Sequence, residues 1–510
     1  MTDFAADPGG DRPRPPHRAL RAALLGRDDD ERQLGSRIEP VRAMDAFFLH
    51  AEARGAHQHV GGLAVLDPSG RADGAVRLDE IVARLRPQLG ALPRLRQQLA
   101  VPLGELVRAS WVDAADFDVA HHVRRLEVAP PGGHRQLEEA VEVVMSRRLD
   151  RRRPLWELHL IDGLHDGQQA LLIKLHHAIV DGVGVVALAD RLLDPHTSHR
   201  SSPLPRDWTP SAPPGRLALL RSSLLHQLTA PWFDLHGTAR RAATDPRRAW
   251  RRMARTVSGV STLARAGPAP PTAFNAGLRS ARRIVLAAVD RQEIRAARLE
   301  TGGTDNDVVL ASIASALHDW FAGHQGLSPS HVRTMVPVST RRLRGNEPGT
   351  WTATLDIDLP VGAMAPLERL RAVTAATRSA QRSSQSLGSQ FVMSAVGTWA
   401  PPPLHARFAR FAYRGRWFNL IASNVPGPRA ARYLAGARVV TAYPIVPLAA
   451  EVGLTVGALS WEDRVTFGLT ADPGQVDDLD DIAQAMVAFI GKLASGQSTE
   501  ACPPAAPRSR

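Results

Sequence analysis

The segment Leu171–Leu188 reads LLIKLHHAIVDGVGVVAL and is the most informative part of the 510-residue chain. Its apolar beginning is typical of a strand that is buried on both faces. Two histidines, His176 and His177, follow the strand directly. Asp181 and Gly182 predict a turn, and the residues after them predict a helix with the aspartate near its N-cap. The segment is therefore a strand–turn–helix unit with two imidazoles where the strand ends.

This histidine pair is the first candidate for chemistry. Two imidazoles at the end of a buried strand cost free energy unless they are hydrogen-bonded or used. An imidazole has an ordinary pKa of about 6.5, so it can accept and release a proton near neutral pH. A general base of this kind contributes a factor of about 10²–10⁴ in rate. An aspartate four positions on, Asp181, can fix the loop through a local ion pair.

Two other interpretations of the pair stay open at this point. The histidines can be structural, or they can bind a metal together with Asp181. The sequence has no HExxH motif and no further His/Cys cluster at metal-ligand spacing, so we expect no metal site. A second pair, His121 and His122, lacks the following Asp-Gly and is predicted to be structural or exposed.

Outward from this segment, strands and helices alternate in two regions of similar length. The first region, 38–195, has strand-like runs at 60–66, 156–161 and 170–175 and a helical stretch at 137–147. The second, 276–497, has strand-like runs at 283–289, 332–337, 352–359 and 465–470 and helical stretches at 291–299, 307–324 and 478–494. This alternation predicts two α/β domains with mixed sheets. Residues 1–37 lack apolar periodicity and are predicted to be a disordered tail, and residues 498–510 are predicted to be a second tail.

A proline- and arginine-rich linker, 196–275, joins the two regions. Leucines recur in it at helical spacing, at Leu217, Leu220, Leu224, Leu225 and Leu228. Seven arginines follow, opposed by Asp245, at Arg240, Arg241, Arg247, Arg248, Arg251, Arg252 and Arg255. One interpretation is a crossover helix packed on both domains with a solvated basic face. The other is an interfacial helix that docks on anionic lipid, and both can hold together.

Composition excludes several classes of protein. The chain has 63 Lys+Arg against 51 Asp+Glu, a net charge of +12 that favours anionic partners. Aromatic residues make up only 5%, without a basic–aromatic stacking motif, so we expect no nucleic-acid partner. The single cysteine, Cys502, excludes a disulfide scaffold and a thiolate zinc site. An apolar run of about 18 residues and a secretory h-region are both lacking, so we expect a cytoplasmic protein without a spanning helix.

Several motifs now resemble one enzyme family. His176, His177, Asp181 and Gly182 match the HHxxxDG motif of acyltransferases that include chloramphenicol-acetyltransferase-like enzymes and peptide-synthetase condensation domains. Further segments resemble the bacterial wax ester synthase/diacylglycerol acyltransferase family, in the same order along residues 38–492. They are MDAFF at 44–48, HVGG at 59–62, PLW at 154–156, NDVVLA at 306–311, VPVSTR at 336–341 with Gly345-Asn346, and SNVPGP at 423–428.

The resemblance implies a fold and a reaction. The fold would be two chloramphenicol-acetyltransferase-like domains joined by a helical crossover, with the active-site channel between them. The reaction would move a long-chain acyl group from acyl-coenzyme A to the hydroxyl of a diacylglycerol or a fatty alcohol. By this likeness His177 is the general base, and His176 and Asp181 orient its loop, with Asp181 holding an arginine. Gly182 would let the backbone approach the thioester.

The rest of the sequence agrees with direct transfer. It has no GxSxG elbow, and its one cysteine lies in a tail, so an acyl-enzyme has no obvious nucleophile. Both substrates would bind together, with acyl-coenzyme A as co-substrate and no bound cofactor. The tetrahedral oxyanion needs hydrogen-bond donors, for which Asn306 and Asn424 are candidates. The alternatives are a helix N-cap or turn residue for Asn306 and a turn residue for Asn424.

Two further pairs have substrate roles in this interpretation. Pro154 and Trp156 would shape the channel wall, or alternatively belong to the core. Arg341 and Arg342 follow a strand and could bind coenzyme A phosphates bidentately, unless they lie in a solvated loop.

Two rival functions are weaker. A condensation enzyme acting on carrier-protein thioesters would share the chemistry of His177 but would usually lie beside carrier or adenylation modules, and none is found in this sequence. A non-catalytic protein that coats lipid droplets or membranes would not need an intact HHxxxDG motif. We therefore expect an enzyme attached peripherally to the inner face of the membrane or to lipid inclusions. The sequence does not rank diacylglycerol against fatty alcohol as the acceptor.

Overall fold

A computed structural model describes residues 38–89, 92–180, 182–197, 210–324, 329–339, 352–383 and 385–496 of the chain. The two predicted tails lie outside these residues, as do Asp181, Arg341 and Arg342.

The first half builds most of one six-stranded sheet. Its strands are β1 (Glu39–Pro40), β2 (His59–Asp67), β3 (Gln97–Ala100), β4 (Ser110–Asp113), β5 (Val123–Glu127), β6 (Trp156–Asp162) and β7 (Gln169–His176). Its helices are α1 (Ala43–Ala51), α2 (Leu78–Leu85), α3 (His134–Ser146) and α4 (Gly182–Leu192). Strands β1, β4 and β3 form a separate small sheet, which the sequence did not predict.

The second half builds the other large sheet. After the linker helices α5 (Arg216–Thr244) and α6 (Pro246–Ala266), its helices are α7 (Arg291–Leu299), α8 (Asp305–Gly323), α9 (Pro366–Arg382), α10 (Gln385–Trp399), α11 (Pro402–Ala412) and α12 (Leu479–Ala494). Its strands are β8 (Arg283–Asp290), β9 (His331–Ser339), β10 (Thr352–Pro360), β11 (Leu420–Pro426), β12 (Tyr433–Leu434), β13 (Ala437–Ile445), β14 (Leu454–Trp461) and β15 (Arg464–Ala471).

Both large sheets are mixed, as the sequence predicts. One has the order β12-β13-β2-β7-β6-β5 and the other β10-β9-β11-β14-β15-β8. Parallel pairing joins β5 to β6 in the first sheet and β11 to both neighbours in the second. The remaining pairs are antiparallel. The fold is therefore two α/β halves, each with helices packed against its sheet.

Strand β7 lies between β2 and β6, and every one of its residues is buried. Lys174 lies in the otherwise apolar middle of the strand, between the polar end residues Gln169 and His176. The ammonium of Lys174 donates a hydrogen bond to the carbonyl of Val144 at 2.8 Å, near the end of α3, and also binds the carbonyl of Arg147. Burial lowers the pKa of Lys174 to about 8. The carbonyls at the end of the helix thus satisfy the one charged group of this strand.

The second half contributes two strands, β12 and β13, to the first sheet. Strands β12 and β13 lie within 276–497, which the sequence assigned to the second domain, yet β13 pairs antiparallel with β2. As β13 crosses the other sheet, the hydroxyl of Thr466 donates to the carbonyl of Ala442 at 2.6 Å. A Cβ on Gly468 would lie 1.8 Å from the carbonyl oxygen of Pro444, so only glycine allows this approach. The boundary at residue 276 therefore does not separate the two sheets.

The linker is helical, as predicted, and α6 packs closely on α10. A Cβ on Gly388 would lie 2.3 Å from the backbone of Gly259. The predicted leucine stripe is only partly packed: Leu220 and Leu225 are half-buried, whereas Leu217, Leu224 and Leu228 are exposed. Within the described parts of the chain, we find no helix long and apolar enough to cross a membrane.

Candidate active site

The candidate base, His177, is held where β7 ends. Its backbone N–H donates to the carbonyl of Gln58 at 2.8 Å, so the residue is fixed to the segment that leads into β2. Its imidazole stacks on the ring of Phe48 in α1, with centroids 3.7 Å apart and planes 19° from parallel. Phe48 in turn packs edge-on against Tyr413 from the second half. Residues of both halves thus fix the position of this imidazole.

The neighbouring His176 points away from the cavity into the protein. It is buried, and its Nδ1 accepts a hydrogen bond from the backbone N–H of Ala178 at 3.0 Å. The ring proton of the neutral form is therefore on Nε2, which faces a carboxylate oxygen of Glu52 at 3.8 Å. Burial lowers the pKa of His176 more than Glu52 raises it. His176 is thus a neutral residue that shapes the turn before α4.

A buried charge cluster lies behind this turn and centres on Glu52, whose side chain is 2% exposed. The carboxylate accepts a hydrogen bond from Arg148 at 2.8 Å and also binds Arg151. His57 and His59 lie 3.7 and 3.8 Å from it. Burial raises the pKa of Glu52, but His176, His57 and Arg148 together hold it far below its ordinary value. Glu52 follows directly after α1, which contains the MDAFF motif, and was not singled out from the sequence.

A large cavity of about 910 Å³ lies beside His177 and is lined by strands of both six-stranded sheets. Helices α1, α4, α10 and α11 and the end of α6 complete its wall. Most lining side chains are apolar or aromatic, including Phe47, Phe48, Ile173, Val185, Met335, Val392, Met393, Phe408, Ile421, Val446 and Leu459. His177 belongs to the lining. The volume is near the upper end of ligand cavities, which measure roughly 300–1,000 Å³.

Two charged residues of the second sheet also line the cavity. Asp356 on β10 is one, and burial raises its pKa to about 6, a shift that Arg333 reduces and Asp358 adds to. Arg333 on β9 is the other; it binds Asp358 at 2.9 Å and donates to the carbonyls of Ala266 and Gly267. Arg333 therefore fastens the end of α6 to the cavity wall. Neither residue was singled out from the sequence, because alternation alone does not show which strand face meets the cavity.

The two oxyanion candidates lie together but outside the cavity lining. The amide of Asn424 donates to the side-chain oxygen of Asn306 at 3.5 Å. Ser423 and Val425 line the cavity, and because side chains alternate along β11, Asn424 lies on the opposite face. Asn306 does not cap α8, because Thr304 occupies the N-cap position and forms a capping box with Asp307. This geometry supports a link between α8 and β11 rather than contact with the oxyanion.

The PLW segment belongs to the core. Trp156 is 2% exposed, its indole N–H donates to the carbonyl of Leu95 at 2.6 Å, and its ring stacks on His122 at 4.5 Å. Pro154 is buried, and neither Pro154 nor Trp156 lines the cavity. The channel-wall alternative is therefore not supported for either residue, whereas the core alternative is. The same stack places His122 in a structural role, and His121 is exposed.

The remaining predicted residues are placed only in part. Gly182 is the first residue of α4, directly after the His176–His177 turn. Asp181, Arg341 and Arg342 lie outside the described residues, so their roles stay predictions. Among the described residues, His324, Asp477 and Asp478 have donor atoms within 4.8 Å of one another, but none of the three lines the cavity.

Comparison with solved structures identifies the fold class. The chain is similar to the wax ester synthase/diacylglycerol acyltransferase of Marinobacter aquaeolei VT8, with a TM-score of 0.61 and 26% identity over 90% of this chain and 99% of that one. It also resembles the starter condensation domain of rhizomide synthetase, with a TM-score of 0.58 over 92% of this chain and 97% of that one. At 15% identity, this second likeness shows the fold alone.

Family models identify the family itself. The wax ester synthase/diacylglycerol acyltransferase catalytic domain matches residues 41–309, and the C-terminal domain of the same family matches residues 345–493. A probable diacylglycerol O-acyltransferase from Mycobacterium tuberculosis strain CDC 1551 is 32% identical over 463 residues, 89% of this chain and 95% of that protein. The chain belongs to the wax ester synthase/diacylglycerol acyltransferase family.

Proposed function

We propose that this chain is an acyl-coenzyme-A-dependent O-acyltransferase that makes triacylglycerol from diacylglycerol, wax esters from long-chain alcohols, or both. One observation carries the proposal: the imidazole of His177 lies on the wall of an apolar cavity of about 910 Å³ between two sheets. A long acyl chain needs an apolar cavity to bind in. A hydroxyl acceptor needs a general base on the wall of that cavity. The family membership and the mycobacterial relative support the same activity.

In this mechanism, His177 takes the proton of the acceptor hydroxyl while the hydroxyl oxygen attacks the thioester carbonyl. The tetrahedral intermediate collapses, the carbon–sulfur bond breaks, and the imidazolium returns its proton to the coenzyme A thiolate. The face of Phe48 lies on the imidazole, and an aromatic face stabilises a cation above it. Phe48 therefore favours the imidazolium that forms during transfer.

Direct transfer needs both substrates in the cavity at once. Cys502, the one cysteine of the sequence, lies outside the described residues, so transfer without an acyl-enzyme stays part of this proposal. The contact between Asn306 and Asn424, away from the cavity lining, argues against either amide as the oxyanion donor. The binding of coenzyme A phosphates by Arg341 and Arg342, and of an arginine by Asp181, belongs to the same proposal.

The lipid acceptor sets where the enzyme works. Diacylglycerols and long-chain alcohols reside in membranes and lipid inclusions, so the proposed site of action is such a surface. The excess of positive charge, +12 overall, favours an anionic surface. We place the enzyme peripherally on the inner face of the membrane or on lipid inclusions.

An acceptor-panel assay tests the proposal. Purified protein is incubated with radiolabelled oleoyl-coenzyme A and either dioleoylglycerol or hexadecanol, and the ester product is measured. We expect ester from at least one acceptor and a loss of about 10²-fold or more in His177→Ala. His121→Ala is the matched control, because His121 is exposed and lies off the cavity. Equal turnover in wild type and His177→Ala would refute the base assignment, and lipid binding without turnover would refute the activity.

A further inference from the structure

Exposed apolar side chains are concentrated on one group of neighbouring elements. Among the described residues, all but three of the large exposed apolar side chains lie on 101–106, α5, α6, α10 and α11, the exceptions being Val143, Leu299 and Val440. The members of this group, the apolar rim, are Val101, Leu103, Leu106, Leu217, Leu224, Leu228, Trp232, Leu235, Trp250, Met253, Val257, Phe391, Trp399, Leu404 and Phe411. An exposed apolar surface of this kind marks a binding surface.

Hydrogen bonds hold the elements of the apolar rim side by side. The hydroxyl of Ser223 on α5 donates to the carbonyl of Arg108 at 2.9 Å. The guanidinium of Arg108 binds the carbonyl of Gly397 on α10. Arg410 on α11 forms an ion pair with Glu105 at 2.7 Å. The segment 101–108 therefore joins α5, α10 and α11 into one continuous region.

Each linker helix presents its apolar residues on one face. In α5, Leu217, Leu224, Leu228, Trp232 and Leu235 are separated by seven, four, four and three residues, which places them along one stripe. In α6, Trp250, Met253 and Val257 follow the same rule, and Trp232 and Trp250 are 70% and 66% exposed. These stripes have no covering element in the described chain, although core-facing helices normally bury such stripes.

The apolar rim is continuous with the cavity. Val260 follows Val257 by three residues on α6, hence lies on the same face, and it lines the cavity. Phe411 on α11 is 50% exposed and lines the cavity as well. A lining residue that is half exposed marks an opening, so one opening of the cavity lies within the apolar rim, while Asp190 on α4, 47% exposed, marks another outside it.

Charge selects the occupant of this surface. Residues 216–266 contain ten arginines and two aspartates, and α10 and α11 contain no acid. On α6 the exposed Arg247, Arg251 and Arg255 recur every fourth residue, which places them beside the apolar stripe of that helix. Two copies of this chain pairing through the same face would bring their arginines together, which disfavours a symmetric dimer. Tryptophans, aliphatic side chains and arginines on one surface are typical of helices that lie in a lipid interface.

We propose that the apolar rim docks on an anionic lipid surface, with α5 and α6 lying in the interface and the cavity opening towards the lipid. This inference rests on the proposed function only for the identity of the lipid that enters. It deepens that function, because the docked orientation would deliver a membrane-borne acceptor to His177 without passage through water.

Vesicle flotation tests the surface. The full chain is mixed with vesicles of equimolar phosphatidylcholine and phosphatidylglycerol, and the bound fraction is measured at low salt and at about 0.5 M salt. We expect wild type to bind, and the double variant Trp250→Glu/Val257→Glu to lose about tenfold or more of its partitioning. The triple variant Arg247→Gln/Arg251→Gln/Arg255→Gln is expected to bind more weakly and with less salt dependence. The matched control Val143→Glu/Leu299→Glu, off the rim, is expected to bind like wild type.

Three outcomes would overturn the proposal. They are wild type failing to bind anionic vesicles, the Trp250→Glu/Val257→Glu variant binding like wild type, and wild type forming a dimer in light scattering that this variant dissociates. Turnover of oleoyl-coenzyme A with dispersed octanol separates this proposal from the enzymatic one, since Trp250→Glu/Val257→Glu is expected to retain it. If wild type binds vesicles but shows no turnover, the enzymatic proposal is refuted and the docking surface is still supported.

Discussion

The rings of Phe48 and His177 lie nearly parallel with their centroids 3.7 Å apart. Phe48 comes from α1 and His177 from the end of β7, and the edge of Tyr413 from the second half contacts Phe48. The contact therefore ties the orientation of the base to the way the two halves meet. It also places an electron-rich face where positive charge would appear during proton transfer.

Replacing this ring is the most direct test of its role. We expect Phe48→Leu to lower kcat about tenfold, because a desolvated cation–π contact contributes up to about 2 kcal/mol, with little change in KM for acyl-coenzyme A. Steady-state kinetics with hexadecanol measure both constants. Phe47→Leu is the matched control, since Phe47 also lines the cavity and packs on Tyr413. An equal fall in kcat in both variants would assign the effect to lost packing.

Glu52 is expected to matter for stability first. Glu52→Gln leaves Arg148 and Arg151 without their carboxylate, and removing one partner of a buried ion pair costs about 3–5 kcal/mol. Because both guanidiniums are partly exposed, we expect a smaller loss, about 2–3 kcal/mol in the free energy of unfolding by urea. Glu105→Gln, which removes the exposed pair with Arg410, is the control and is expected to cost less than about 1 kcal/mol. Similar losses in the free energy of unfolding in the two variants would contradict the claim that the ion pairs of Glu52 stabilise the fold more than an exposed pair does.

Trp156 separates a core role from a channel role. Trp156→Phe removes the hydrogen bond to Leu95 and part of the stack on His122. We expect the free energy of unfolding to fall by about 1–3 kcal/mol while KM values for acyl-coenzyme A and acceptor stay unchanged. Urea titration and steady-state kinetics on the same preparation measure both. A changed acceptor preference without loss of stability would support the alternative that Trp156 forms part of the channel wall.

Acid is expected to destabilise the fold through buried neutral histidines. Burial, with the charges of His50 and Arg108, lowers the pKa of His405 from 6.5 to about 4. Between these values the unfolded chain binds more protons than the folded one, so stability rises with pH across this window and is lost as pH falls below about 6.5. The shift corresponds to about 3 kcal/mol between neutral pH and pH 4. Urea unfolding at several pH values is expected to show that the free energy of unfolding falls less steeply with decreasing pH in His405→Gln than in wild type.

The exposed His121 provides the comparison for that experiment. His121→Gln is expected to follow the wild-type pH dependence. The free energy of unfolding of His405→Gln is still expected to fall as the pH is lowered, because burial also lowers the pKa of His176 and of His59. An identical slope in wild type and His405→Gln would rule out His405 as a contributor.

The asparagine pair has a test of its own. A single oxyanion donor contributes about 10²–10³ in kcat, so Asn306→Ala or Asn424→Ala would show such a loss if either amide held the oxyanion. Their positions predict otherwise, since the two side chains contact each other and neither lines the cavity. We expect a loss of about 1 kcal/mol in stability and less than about tenfold in kcat. A loss of 10²-fold or more with unchanged stability would restore the original prediction.

The sequence predicted the local structure well because local physics decides it. The run before His176 is a fully buried strand, and the helical stretches predicted at 291–299 and 478–494 correspond to α7 and α12. The place of β13 was not predictable in this way, because its alternation gives a strand but not the sheet that it joins. Glu52 was missed for a related reason: its partners Arg148, His57 and His176 come from three separate segments, and only the fold brings them together.

The strand exchange at β13 also limits how the enzyme can open. Cutting the chain near residue 275 would leave the edge of β2 without its neighbour, so the first piece would lack a finished sheet, whereas the second piece would keep all six strands of its own sheet. A wide hinge between the halves would have to break the same ladder, along which Ile445 opposes Gly61 and Val439 opposes Leu66. Long acyl chains would then enter end-first through a channel of fixed width. The turnover rate would depend on the rate at which the product leaves through that channel.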